Sequence, residues 1–266
     1  MSTDQNHEAQ GTRTGPLLWI EQLGRACQFG LRATLALPGA FVHPRRWLTQ
    51  LYQVFLGGIP LCVTAGMAIG VVIWIHLRSA LQAVAGPSAV LYLPQAISLA
   101  VVLEFAPMTA GLLIAGRTGA SLGAELGSMR LSEQVDALEV LGLSPLRELV
   151  APRLLACMLA LPFLTLIIAY VALSTAFVVE ALGGSMTLQQ YLNECLRVLR
   201  LHDVIPATLK TVVFGYLIGL VGCWKGLTAH GGTEGVGQAA TEGVVASIFL
   251  VLVANVALVK IIQLTS

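Results

Sequence analysis

Five stretches of this chain run for about seventeen to twenty-six residues with almost no ionisable side chains, and nothing constrains its fold more. About 20 apolar residues at 1.5 Å each cross the ~30 Å hydrocarbon core of a bilayer, and inside it a helix satisfies its own backbone polar groups. The first run is VFLGGIPLCVTAGMAIGVVIWI at 54–75, and a Gly86-Pro87 turn signal separates it from SLAVVLEFAPMTAGLLIAG, which ends at Gly116. LLACMLALPFLTLIIAYVALSTAFVV at 154–179 is the third. A fourth, from Ile205 to Leu227, has to tolerate Lys210, and GVVASIFLVLVANVALV at 243–259 is the shortest. The fold class expected is an all-α polytopic membrane protein with spans at about 52–77, 90–117, 153–180, 204–227 and 241–262, within a transmembrane domain over 46–266.

Composition agrees: 56% of residues are hydrophobic and only 11% charged, where soluble domains run nearer ~25% charged. A net charge of +1 provides no basic surface for nucleic acid. The five cysteines are scattered, with no CxxC pair and no His at ligand spacing, so they read as packing residues and no metal site is expected. Residues 1–15 are polar and expected to be disordered, without the pattern of a cleaved signal peptide.

Two further helices are too polar to cross. Residues 16–45 hold Glu21, Arg25 and Arg32 among leucines, which suits an amphipathic helix at headgroup level; packing against other protein is the alternative. MTLQQYLNECLRVLRLHD at 186–203 has helical spacing with Glu194, Arg197 and Arg200. With the N-terminus inside, ten of the fifteen Lys and Arg fall on the inner side (Arg13, Arg25, Arg32, Arg45, Arg46, Arg117, Arg130, Arg147, Arg153, Lys225). The positive-inside rule therefore predicts a cytoplasmic N-terminus and a periplasmic C-terminus.

The largest inner connection contains MRLSEQVDALEVLGLSP at 129–145, unusually rich in charge for this chain. Ser132 is a candidate N-cap, acids sit in the first turns, and Gly142 with Pro145 supplies a stop, which predicts a short helix over about 132–142. Glu133, Asp136 and Glu139 share one arc and Val135, Leu138 and Leu141 the other. Such a helix either faces water as a solvated loop or sits in a groove on a soluble partner.

Glu104 is the ionisable residue inside the second span. A charge at mid-membrane costs about 2.5–3.5 kcal/mol on insertion scales, so it normally faces a cavity or a partner; a protonated acid bonded to a neighbouring helix is the alternative. Pro107, three residues on, removes a backbone donor and bends the helix. Met67, Val71 and Trp74 recur at i, i+4, i+7 in span one and either line the same cavity or pack as ordinary helix contacts. Gly66 and Gly70 suit close helix approach.

GLLIAGRTGASLGAELGSMRLSEQVDALEVLGLSPLRELVAPRLLA at 111–156 resembles the most characteristic segment of the MlaE family of ABC-transporter permeases, and KGLTAHGGTEGVGQAATEGVVAS at 225–247 resembles its C-terminal signature. QLYQVFLGGIPLCVTAGMAIG at 50–70 is similar to its first-span block. The resemblance implies a homodimeric inner-membrane permease moving phospholipid or a related lipid between the inner and outer membranes. It implies a cytoplasmic ATPase that carries the ATP and Mg, a membrane-anchored MCE substrate-binding protein, and in some systems a STAS-domain protein. The 132–142 segment becomes the coupling helix, with Arg130, Glu133, Asp136 and Glu139 meeting the ATPase. Glu104 would sit near the lipid cavity, although Leu103 stands where the family's R-E-L-G-P motif has an arginine; Lys210 is one residue able to supply that basic contact. Arg117 and Glu125, eight residues apart, cannot pair along one helix, and Arg153 is a candidate partner for Glu125. Arg117 and Arg153 can also simply anchor to headgroups, and Glu242 departs from the family pattern.

The chain has no GxxxxGK[ST] loop, and GGTEGVG at 231–237 reads as a sharp inner turn, not a phosphate cradle. HExxH is likewise absent and the five His are isolated, so no enzyme site is expected. A secondary transporter or channel relaying protons through Glu104 is the rival reading; it would call for inverted repeats, which an odd number of spans disfavours.

Overall fold

The computed structural model describes residues 16–41, 44–183 and 186–265; the expected disorder of 1–15 lies outside them. The described residues are almost wholly helical, and five helical stretches are long and apolar enough to span a membrane: Pro44–Val84, Ser88–Leu131, Leu146–Leu182, Leu201–Leu227 and Gly232–Leu264. They are α2 (Pro44–Ala85); a composite second span of α3 (Leu93–Ala100), α4 (Ala106–Ile114) and α5 (Ala120–Leu131); α7 (Ala151–Leu182); α9 (Leu201–Leu227); and α10 (Gly232–Thr265). Three more helices lie outside these spans among the described residues: α1 (Pro16–Ala40), α6 (Gln134–Val140) and α8 (Leu188–Val198). With 42 residues, α2 is far longer than a bilayer requires, so it projects beyond the membrane.

Helix α7 is the centre, packed on α2 along one side and α9 along another, with Leu154, Leu161, Leu164 and Ile168 fully buried. Association in lipid has little hydrophobic drive and depends on close backbone approach. Gly66 and Gly70 meet the α7 backbone at Ile168 and Ala172, as their spacing predicted, and Gly215 of α9 meets it at Cys157. A Cβ at Gly70 or Gly215 would overlap those atoms.

The second span is interrupted twice by wide π turns, at Val101–Phe105 and Ala115–Gly119. The first has a cause in the sequence: the ring of Pro107 cannot donate to the carbonyl of Leu103 and crowds it, so the backbone widens. A third π turn, Leu146–Val150, likewise precedes Pro152, whereas no proline accompanies the turn at Ala115–Gly119.

The connections reverse where glycine permits. Gly86 (φ 79°) ends span one, and Gly231 and Gly232 (φ 97° and 72°) turn the chain between α9 and α10. Helix α1 buries Ala33, Ala36 and Ala40, mainly against α7, stacks Phe29 on Trp224 at 5.0 Å, and leaves Leu31 and Leu35 exposed. This is packing against protein, the second of the two sequence alternatives, with an apolar outward face left uncovered. Helix α8 starts at a capping box, Thr187 with Gln190, and lies under α3, where Gln95 donates to Glu194 at 2.5 Å. It also buries Tyr191 and Cys195; burial pushes the Cys195 thiol up to about 11, so it stays protonated at neutral pH. Alternating passage of five spans puts α1, α6 and the Gly231 turn at one end of the bundle and α8 and the Gly86 turn at the other.

Candidate functional site

The π turn at Val101–Phe105 turns Glu104 toward α9, and Lys210 answers it. The Lys210 ammonium lies 3.0 Å from the Glu104 carboxylate and donates at 2.8 Å to the carbonyl of Leu103, the group that Pro107 leaves without its helical donor. One side chain thereby satisfies both a charge and an orphaned backbone acceptor. The Lys210 side chain is 2% exposed and that of Glu104 46%, so the carboxylate forms the open side of the pair. They border a cavity of about 300 Å³ whose wall also includes Leu103, Asp203, Ala207, Val259, Ile262 and Gln263. The site joins spans two, four and five. Pro107 is buried and shapes it through the backbone.

Span one does not reach this cavity. Met67 is exposed on the outer face of α2, and Val71 is partly buried. Trp74 turns to span three, where its indole Nε1 donates to Glu180 at 2.6 Å and its ring lies 5.1 Å under the Arg78 guanidinium. Arg78 binds the same Glu180 oxygen at 2.9 Å, and Glu180 is fully buried. The expected cavity stripe is therefore not part of the Glu104 site within one chain: Trp74 belongs to a polar clamp between spans one and three. Sequence reading used Glu180 only as a span boundary, although Arg78 and Glu180 bracket the ends of two adjacent apolar runs.

Sequence reading also missed Asp203, Val259, Ile262 and Gln263. A usable signal was present, since Asp203, Ala207 and Lys210 recur at i, i+4, i+7 on one face of α9.

At the opposite end, Glu125 accepts from Arg153 at 2.5 Å, the partnership its distance from Arg117 had suggested. Glu242 accepts from Lys225 at 2.8 Å and Gln238 at 3.0 Å, which pins α10 to the end of α9 and gives its departure from the family pattern a structural role. The charged connection is tighter than expected. Ser132 is not an N-cap: α5 runs to Leu131 and the Ser132 hydroxyl donates back to Ser128 at 2.9 Å. Glu133 takes the left-handed conformation (φ 57°), and α6 spans only Gln134–Val140. Its stop is the one foreseen: Leu143 N–H donates to Leu138 and Gly142 N–H to Glu139, a Schellman closure around Gly142 (φ 74°). Arg130 is paired with Asp136, Glu133 is exposed, and Glu139 borders a groove with Arg25 and Arg32.

A model of the MlaE permease family matches residues 47–261. The chain belongs to the MlaE permease family. A probable ABC transporter permease protein of Synechocystis is 30% identical over 246 residues, 92% of each chain. A probable ABC transporter permease of Rickettsia typhi is 38% identical over 152 residues, 57% of this chain and 59% of that one. Arabidopsis trigalactosyldiacylglycerol 1, a chloroplast protein, is 39% identical over 160 residues, covering 60% and 45% respectively. This MlaE-family chain is thus a multi-pass membrane permease of the ABC type, a class that works with an ATPase partner.

Proposed function

We propose that this permease moves phospholipid or a related lipid between the inner and outer membranes of a bacterium, as a homodimer in the inner membrane with its N-terminus cytoplasmic and C-terminus periplasmic. The observation that carries the reading is the Glu104–Lys210 pair bordering a cavity with Leu103, Val259 and Ile262. A fixed ion pair beside apolar walls suits an amphiphile, whose polar head needs partners and whose tails do not. The glycerolipid in the Arabidopsis relative's name supports the same substrate class. Lys210 supplies the basic group that Leu103 does not, but it is already neutralised by Glu104, and Asp203 adds a negative charge. The site accordingly favours a zwitterionic or weakly charged headgroup over a strongly anionic one.

Energy enters through a separate cytoplasmic ATPase that binds ATP and Mg, docked on Arg130, Glu133, Asp136 and Glu139 at α6. Closure of two ATPase subunits would tilt that short helix and the spans joined to it. An MCE-domain protein, with a STAS-domain protein in some assemblies, completes the complex. The test is photo-crosslinking of an azido-phospholipid to the purified complex. Cross-links at Val259 and Ile262 that fall several-fold in Glu104→Gln are expected; an identical pattern would reduce Glu104 to a packing residue.

A further inference from the structure

A second polar cavity, of about 470 Å³, lies between spans one and two at the end of the bundle that carries α6. Its polar wall is Gln50, Gln53, Arg117, Thr118, Ser121 and Glu125. We propose that this cavity binds a phosphate group, either that of a lipid headgroup at this membrane face or inorganic phosphate. The proposal stands on the membrane-spanning fold and not on the Glu104 cavity.

Charge sets the class of ligand. Glu125 is already bound by Arg153, whereas Arg117 has no hydrogen-bond or ion-pair partner among the described residues, so the cavity keeps one uncompensated positive charge. The guanidinium lies against Gly57 of α2, where any Cβ would overlap it; the missing side chain makes room for the cation. A guanidinium fork matches two phosphate oxygens at once. The glutamine amides and the Ser121 hydroxyl can donate to the remaining oxygens.

Thr118 is the independent observation. Helical threonines such as Thr165, Thr175 and Thr208 donate to the carbonyl four residues back, at 2.8–2.9 Å. Thr118 is 3% exposed, yet its hydroxyl has no partner among the described residues. It sits in the π turn Ala115–Gly119, the one wide turn that no proline explains, and π turns recur at binding sites. A buried hydroxyl left free on the wall of a cation-bearing cavity is a donor held ready for an anion.

Native mass spectrometry of the full chain in detergent tests the proposal, titrating dihexanoyl phosphatidylglycerol, inorganic phosphate and dihexanoylglycerol, which lacks the phosphate. The phosphate-bearing lipid is expected to bind, with Arg117→Gln weakening it at least tenfold and Thr118→Val several-fold, while dihexanoylglycerol shows no such dependence. Binding of the lipid alone identifies a headgroup as the source, and binding of both phosphates shows that the bare anion suffices; either supports the site. Should Arg117→Gln fail to fold, the near-isosteric Thr118→Val decides. Wild-type affinity in both variants, or no phosphate-dependent binding to the native chain, overturns the proposal. Glu104→Gln is measured alongside. Loss there with none in the other two variants places the ligand in the Glu104 cavity, which sinks this site and leaves the proposed lipid transport standing.

Discussion

Lys210 shows how one side chain resolves two difficulties that the sequence creates in another span. Pro107 strips a donor from Leu103, and Glu104 brings a charge into the membrane; the ammonium meets both. The pair is asymmetric in burial, which makes its two halves unequal under mutation. Glu104→Ala strands a buried cation and is expected to cost about 3–5 kcal/mol. Lys210→Met leaves a half-exposed carboxylate and one unpaired carbonyl, nearer ~1–3 kcal/mol. Thermal unfolding in detergent should place Glu104→Ala below Lys210→Met, and the reverse order would mean that the carboxylate is not the lysine's main support. Both residues were visible as isolated intramembrane charges in the sequence, but 106 positions separate them and no local spacing joins them.

At the level of elements, proline and glycine explain most departures from plain helices. Pro107 and Pro152 each follow a π turn by two residues, and the glycines of α2 and α9 set how closely those helices approach α7. Gly70→Ala puts a methyl into the α7 backbone at Ala172, and relief requires the two helices to separate. A loss of about 1–3 kcal/mol follows from such overpacking. Gly24→Ala, on α1 with open space around it, should instead hold or slightly raise stability through helix propensity. Comparing the two melting midpoints checks the contact: a Gly70→Ala chain as stable as Gly24→Ala would show that α2 and α7 are not in backbone contact. The small-xxx-small spacing was legible because it is local. The start of α6 was misread because Ser132, an N-cap by type, continues the preceding helix and gives the cap position to a left-handed Glu133.

At the scale of the whole molecule, the ion pairs among the described residues lie at the two ends of the bundle or bridge spans. The Glu104 cavity joins spans two, four and five, the Trp74–Arg78–Glu180 clamp joins one and three, and α6 hangs from the far end of the second span. Helices α2 and α10 keep broad exposed apolar faces, including Phe249, Val253 and Val256, suited to acyl chains or to a second copy of the chain. Under the ATPase docking proposed above, the path from α6 to the cavity is α5 and α4, one nearly continuous helix with a π turn in between. Asp136→Lys should therefore abolish co-purification of a co-expressed ATPase while the chain stays monodisperse in detergent; an undiminished ATPase yield would remove α6 from the docking surface.

Hydropathy alone determined that this chain crosses a membrane five times, because a bilayer accepts only long stretches whose backbone is internally bonded, and that requirement is written in consecutive residues. The turns at Gly86, Gly142 and Gly231 were equally local, since a positive φ selects glycine residue by residue. Beyond Glu125 with Arg153, which charges pair was settled only in three dimensions. Glu104 with Lys210, Glu180 with Arg78 and Trp74, and Glu242 with Lys225 each join different helices, and an ion pair depends on distance through space, which no periodicity along the chain encodes.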